Sequence, residues 1–168
     1  MKRIILGTVA AVSLMAGPAL AAEPTVRELT VTADMADLET ANASRYYPQI
    51  SGDLSAAIYD RVTLDDDPNG YVVDVKLGSV SLDGDTNLPD TAEFNQMEGV
   101  VTISSPNTNA PLVSYPVQIV ANSGGAAVPA GYVAVNPSTD DFYTAMLNGF
   151  AEVVSEKMPE AMREAGSR

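Results

Sequence analysis

The sequence predicts a two-layer α+β domain, an antiparallel sheet of four to five strands with two helices on one face, in the order β-α-β-β-β-α. Three observations predict this class. In several short segments hydrophobic residues alternate with polar ones, which is typical of strands with one face against a core. Two longer segments repeat hydrophobic residues every three or four positions, the spacing of an amphipathic helix. The 168 residues are a usual length for one domain.

The first strand is followed by the first long helix. In residues 26–33, Leu29, Val31 and Ala33 fall on one side of an extended segment. A helix is predicted after Pro48, because proline fits the first helical turn, where the N–H that it lacks would be unpaired. The hydrophobic residues at helical spacing in this segment are Ile50, Leu54, Ala57, Ile58 and Val62.

The second strand is predicted to contain a β-bulge. Tyr71, Val73, Val75 and Leu77 stand at odd-numbered positions with Asp74 and Lys76 between them, whereas after Gly78 the hydrophobic positions are Val80 and Leu82. A change of parity by one residue at a glycine is what a bulge produces. We therefore expect a bulge near Gly78 and Ser79.

Two further strands are predicted to form a hairpin. The segments 96–104 and 112–120 alternate in hydrophobicity, and a turn cluster at 105–109 separates them. Proline cannot donate a hydrogen bond to a neighbouring strand, so Pro116 predicts that its strand is at an edge or that this position faces away from its neighbour. A short strand is expected at 132–135.

The closing helix is predicted to begin after capping residues at 138–141, where Ser, Thr and Asp side chains favour a helix start. It is expected to end or kink at Pro159, because the residue before a proline is disfavoured in helical backbone. Residues 160–165 would then form a second short helix.

The composition excludes several kinds of site. The chain has no Cys and no His, so Ser-His-Asp and Cys-based catalysis, thiolate or imidazole zinc sites and disulfides are excluded. With 22 acidic and 9 basic side chains the formal net charge is −13, which repels the phosphates of nucleic acids. No catalytic motif and no cofactor site is indicated, so the balance favours a non-enzymatic protein.

The first 21 residues have the three-part layout of a cleaved secretory signal peptide. A basic start at Lys2 and Arg3 precedes an apolar run at 4–16, and an Ala-Leu-Ala sequence leads to a cut after Ala21. The apolar run is shorter than the about 20 residues that a membrane-spanning helix needs. We therefore expect a periplasmic protein with a leader at 1–21, one domain at 22–168 and no membrane span in the mature form.

One acidic segment resembles the start of a calcium-binding loop. Asp65, Asp67 and Asn69 stand at alternate positions before a glycine, as oxygen ligands do in such loops. The twelfth position is Lys76 rather than the bidentate Glu, and residues 83–87 repeat the same spacing. The competing interpretation is that both segments are acidic turns.

The hairpin sequence MEGVVTISSPNTNAPLVSYPVQIV and the helix sequence FYTAMLNGFAEVVSEKM resemble small exported α/β accessory domains of Gram-negative envelopes, including outer-membrane assembly lipoproteins. The resemblance covers about residues 45–157 and implies that the last helix covers the sheet. This chain lacks the lipidated cysteine of those lipoproteins.

The leading hypothesis is a non-enzymatic periplasmic accessory or binding protein that acts on an envelope component or a partner protein. One alternative is a carboxylate-dependent hydrolase of cell-wall or extracellular glycans, since two acids suffice for that reaction. The other is a calcium-responsive module.

Overall fold

The computed structural model describes residues 24–33, 43–85, 87, 94–105, 110–121, 130–135 and 142–167. The strands are β1 (Val26–Ala33), β2 (Tyr71–Ser81), β3 (Gln96–Ser104), β4 (Pro111–Ala121) and β5 (Val133–Val135), and the helices are α1 (Ala43–Tyr46), α2 (Ile50–Tyr59) and α3 (Phe142–Gly166). The α+β class and the order of the long elements are confirmed. The predicted leader, most of the 105–109 turn and the capping residues at 138–141 lie outside the described residues.

The five strands form one mixed sheet in the order β1-β2-β3-β4-β5. The three middle strands are antiparallel, as predicted, but β1 is parallel to β2 and β5 is parallel to β4. The expectation of an antiparallel sheet is thus corrected at both edges. The reason lies in the length of the connections. A tight turn reverses the chain and gives an antiparallel pair, whereas a parallel pair needs a longer connection. The segment that contains α1 and α2 separates β1 from β2, and residues 122–132 separate β4 from β5.

The predicted β-bulge is present in β2. Leu77 pairs with Gly99, and Ser79 pairs with Glu98, so Gly78 is the extra residue on its strand. After it, Val80 faces the same side of the sheet as the residues before the bulge and is fully buried. The change of parity therefore keeps hydrophobic side chains on one face along the whole of β2.

The core lies between that face and the two long helices. Helix α2 packs on β1, and α3 packs on β3, β4 and α2. Hydrophobic residues from both layers form a single buried cluster. Fully buried members include Leu54, Ile58, Val75, Val101, Ile119 and Phe150.

Helix α3 continues through Pro159 to Gly166, so the expectation that the helix ends at Pro159 and that residues 160–165 form a separate helix is wrong, whereas a kink at Pro159 stays a prediction. Pro159 is exposed, and the Nε of Arg163 donates to its carbonyl oxygen at 3.2 Å. The turn after it buries Ala161 and Met162 against the core. Burial of these side chains offsets the hydrogen bond that proline removes, which a sequence pattern alone does not reveal. No helix in the described parts of the chain is long and apolar enough to span a membrane.

Candidate functional site

Backbone groups on the outer side of β1 accept hydrogen bonds from α2 and from the loop after it. The N–H of Asp65 donates to the carbonyl oxygen of Val26 at 2.9 Å, and the hydroxyl of Tyr59 donates to that of Leu29 at 2.6 Å. Side-chain and loop contacts of this kind protect an edge strand from pairing with other chains. Two carbonyl groups on the outer side of β1 therefore already have hydrogen-bond donors within this chain.

Much of the outer side of β4 has no strand partner within the part of the chain that the structure describes. Strand β5 pairs only with Ile119, Val120 and Ala121, so residues 113–118 of β4 have no outer strand partner among the described residues. Pro116 lies in this stretch. Because β4 is the fourth of five strands, the second of the two expected arrangements applies, in which Pro116 faces away from its neighbour β3.

The hydrogen-bonding pattern shows which groups of β4 point outward. The N–H of Ala121 donates to the carbonyl oxygen of Asn95 at 2.7 Å. Because hydrogen-bonded pairs alternate along an antiparallel ladder, the odd-numbered residues from 113 to 121 bond to β3 and the even-numbered ones face outward. Ser114 thus presents both its N–H and its carbonyl oxygen at the open side, and Pro116 presents its carbonyl oxygen.

A groove of about 450 Å³ lies beside this open edge, between β4 and the C-terminal half of α3. Residues 112–115 form its strand side. Its helix side is formed by Lys157, Glu160, Ala161 and Glu164.

Tyr115 fixes the distance between the strand and the helix at this groove. Its hydroxyl donates to the carbonyl oxygen of Val154 at 3.4 Å, so it bridges β4 and α3. Burial raises the pKa of Tyr115 well above its ordinary value of 10.0. The phenol is therefore a neutral hydrogen-bond donor throughout the physiological pH range.

Gly99 sets the position of α3 on the sheet. A Cβ atom at this residue would lie 2.9 Å from Cζ of Phe150 and 2.7 Å from the carbonyl oxygen of Lys76. Only glycine lets the Phe150 ring lie directly on β3 at this point. The contact places the helix close to the neighbouring strand, β4, and so helps to form the groove.

The exposed side of α3 carries one glutamate every four residues, and the last two border the groove. Like charges at this spacing destabilise a helix by about 0.2–0.5 kcal/mol per pair. Among the described lining residues, Lys157 is the basic one beside these two glutamates. The four residues are Glu152, Glu156, Glu160 and Glu164.

The first calcium candidate forms a loop between α2 and β2, away from the groove. The N–H of Asp67 donates to Oδ1 of Asp65 at 3.1 Å, and the N–H of Asn69 donates to Oδ1 of Asp67 at 2.9 Å. Both carboxylates thus accept hydrogen bonds that shape the turn. No group of three or more His, Cys, Asp or Glu residues suited to a metal ion occurs within the described residues, and calcium binding by Asp65, Asp67 and Asn69 stays a prediction.

The second acidic segment is a tight turn at the other end of β2. Leu82 and Asp85 exchange two backbone hydrogen bonds of 2.9 Å. Between them Asp83 and Gly84 both have left-handed backbone, with φ of 51° and 87°. This is the conformation of a type I′ turn, for which Asp-Gly is a favoured sequence. The two acidic segments therefore lie at opposite ends of a strand and do not form one site.

Two smaller pockets each contain one carboxylate. One, of about 280 Å³, lies where β1, α2 and α3 meet and includes Asp65 and the apolar side chain of Met162. The other, of about 330 Å³, lies at the bulge on the uncovered face and includes Glu98. The hydroxyl of Tyr132 donates to Glu98, which raises the pKa of Tyr132.

The groove beside β4 contains two carboxylates, Glu160 and Glu164, and both are exposed. Glycoside hydrolysis commonly uses one acid that is shielded from water. This arrangement does not favour the hydrolase alternative.

Comparison with known protein families and with curated proteins gives no match. The interpretation of the groove therefore depends on its own geometry. The four-residue spacing of the glutamates and the parity of Pro116 are both visible in the sequence. Which side of α3 borders β4 is decided by packing, however, so the sequence did not indicate that these features share one groove.

Proposed function

We propose that this protein is a non-enzymatic periplasmic accessory protein that binds a partner protein of the envelope by pairing an extended segment of that partner with β4. The observation that carries the proposal is the open side of β4, where Ser114 and Pro116 present backbone groups outward. A segment added there gains main-chain hydrogen bonds, which supply affinity in this mode of recognition.

The contrast between the outer side of β1 and the outer side of β4 supports the choice of β4. Contacts from Tyr59 and Asp65 occupy carbonyl groups of β1, whereas residues 113–118 of β4 have no outer strand partner within the described ranges and β4 borders a groove. Side chains of an added strand point alternately to the two faces of the sheet. Those on the helix side would enter the groove, which can therefore select among partner sequences.

The remaining support comes from the sequence. The absence of His and Cys removes the commonest nucleophile and general-base arrangements. The leader pattern at 1–21 supports export to the periplasm.

The test uses site-specific photo-crosslinking in cells that export the full chain. A photoreactive residue replaces Ser114 in one variant and Ala56, an exposed small residue on α2, in the control variant. We expect a discrete crosslinked protein at position 114 that is absent at position 56. The same adducts at both positions, or none at position 114, would contradict the proposal.

A matched pair of substitutions then tests backbone pairing. Ser114→Pro removes the outward N–H at a position equivalent to that of Pro116, so the sheet tolerates it. Ser114→Ala keeps the N–H, and both variants lose the side-chain hydrogen bond to Thr102. We expect the proline variant to lose the partner while the alanine variant retains it. Equal binding by two folded variants would rule out strand addition at this edge.

A further inference from the structure

We infer that the segment which pairs with β4 carries an aromatic residue opposite Pro116, on the face of the sheet opposite the helices. This inference rests on the proposed function and specifies the partner at that same site. It is carried by Val100 and Pro116, two exposed apolar side chains that lie side by side. They border residues 113–118 of β4, which have no outer strand partner in the described ranges.

The register of the sheet places both side chains on one face. Val100 and Pro116 are direct partners across β3 and β4, and directly opposite residues point to the same face. Their chain neighbours Val101 and Val117 are fully buried in the core, so the pair faces away from α3. Val100 is 45% exposed, and Pro116 is exposed as well. A residue of an added strand opposite Pro116 would extend this row.

A cavity of about 330 Å³ lies beside the pair. Val100 and Pro116 line it together with Gly78 and Gly99, which have no side chains. Neighbouring strands are about 4.8 Å apart, and aromatic side chains reach beyond the position directly opposite them. A ring laid flat over Pro116 therefore also contacts Val100 on the next strand. A shorter aliphatic side chain covers Pro116 alone.

The backbone at Pro116 makes side-chain contact more important at this position. Ser114 offers an added strand both its N–H and its carbonyl oxygen. Proline has no N–H, so Pro116 offers its carbonyl oxygen alone. The partner thus gains one main-chain hydrogen bond fewer at Pro116 than at Ser114. Burial of apolar surface is the interaction that Pro116 and Val100 supply instead.

A second copy of this chain does not fit this position. In symmetric antiparallel pairing of two β4 strands centred on Pro116, proline would lie opposite proline, and neither residue could donate a hydrogen bond. Each copy also carries a formal net charge of −13, which opposes association. A segment of another protein can supply both a donor for the Pro116 carbonyl oxygen and a ring that covers Val100.

The probes are three synthetic nine-residue peptides, titrated into the whole exported protein by calorimetry. All alternate Ser and Thr and differ at the central residue, which is Trp, Leu or Ala. We expect the Trp peptide to bind about tenfold more tightly than the Ala peptide, the effect of burying about 55 Å² of apolar surface. The Leu peptide should bind at least about threefold more weakly than the Trp peptide, because leucine does not reach Val100.

Two matched substitutions of exposed valines locate the contact. Val100→Thr keeps the size and branching of the side chain but replaces one methyl group with a hydroxyl. We expect it to weaken binding of the Trp peptide about two- to fivefold and to leave the Ala peptide unchanged. Val133→Thr makes the same change at a residue that pairs with Ile119, on the helix side of the sheet. We expect less than about a twofold change in that control.

Fluorescence gives an independent measure of the position of the ring. The chain contains no Trp and no Cys, so the peptide supplies the only indole, and one introduced cysteine can carry a nitroxide quencher. With the label at Ser79→Cys, which lines the cavity, we expect strong quenching of the bound Trp. With the label at Ala56→Cys, an exposed position on α2, we expect only the quenching that free nitroxide gives.

The outcomes separate this inference from the proposed function. Equal binding of the Trp and Ala peptides, lost in both cases by Ser114→Pro, would overturn the aromatic residue and leave strand addition standing. Equal effects of the two valine substitutions, or equal quenching by the two labels, would overturn its position opposite Pro116.

Two results would affect the proposed function as well, and one would not. Binding of the Trp peptide that Ser114→Pro does not change would overturn strand addition itself. Dimers in sedimentation that Ser114→Pro abolishes would replace the partner segment with a second copy. No binding of the Trp peptide, in the presence of a crosslink at position 114 in cells, would overturn the aromatic residue alone.

Discussion

Gly99→Ala is expected to destabilise the protein and to displace α3 from the sheet. The added methyl group would lie 2.7 Å from the carbonyl oxygen of Lys76 and 2.9 Å from Cζ of Phe150. The Phe150 ring can shift, but the carbonyl belongs to the backbone of β2, so the two strands must move apart. Such overpacking costs about 1–3 kcal/mol.

The matched control is Gly78→Ala on the adjacent strand. A methyl group there would have one neighbour, the carbonyl oxygen of Glu98, at an ordinary 3.7 Å. Since alanine reduces the entropy of the unfolded chain, we expect this variant to be unchanged or more stable by up to about 1 kcal/mol. The comparison separates the close approach at Gly99 from any general effect of replacing glycine in a strand.

Urea unfolding and thermal unfolding, both followed by circular dichroism, measure the free energy of unfolding and the Tm of the two variants. For a chain of this length each kcal/mol corresponds to about 2–4 °C in Tm, so we expect Gly99→Ala to lower the Tm by several degrees. Phe150→Leu in the same protein should reduce the cost of Gly99→Ala without removing it, because the contact with the backbone of Lys76 remains. If Gly99→Ala is as stable as Gly78→Ala to within about 0.5 kcal/mol, the close packing of α3 on β3 is wrong.

Three further outcomes are expected. Gly84→Ala is expected to lower the free energy of unfolding in urea by about 1–2 kcal/mol, because φ is +87° at this residue. No described atom lies within 4 Å of the added methyl group, so crowding does not account for the loss. An unchanged free energy of unfolding would exclude left-handed backbone at this turn. Above about pH 10 the unfolded chain releases the proton of Tyr115 while the folded protein keeps it, so the free energy of unfolding should fall by about 1.4 kcal/mol per pH unit. Tyr115→Phe should remove that part of the alkaline loss, and an identical pH dependence would contradict the burial of the phenol. Asp67→Ala should lower the Tm by removing a turn acceptor, and calcium and sodium at equal ionic strength should raise the Tm of the unsubstituted protein alike. A larger rise with calcium that Asp67→Ala abolishes would instead establish the cation site.

Local rules account for most of the fold. Alternation of hydrophobic residues located β1 and β3 at their observed ends, and the parity change at Gly78 located the bulge. Alternation shows which face of a strand is buried but not the direction of its neighbours, so the parallel edge pairs were not predictable. The local cost of Pro159 predicted that α3 ends or kinks there, but the helix continues beyond it, where Met162 is buried.

The groove shows a different limit of sequence reasoning. Its glutamates and its open strand come from segments that the hydrophobic pattern describes correctly, yet their proximity depends on where α3 crosses the sheet. That position depends on the contact between Gly99 and Phe150. A glycine inside a predicted strand indicates a close approach of something to the backbone, but it does not identify which side chain approaches.

The acidity of the chain is a physical reason why an open strand can be retained. Uncovered strand edges promote pairing between identical chains and hence aggregation. A net charge of −13 opposes the approach of a second copy, and the glutamates near β4 place part of that charge at the groove itself. High negative charge, which by itself indicates only solubility, thus disfavours pairing between two copies of the chain along β4.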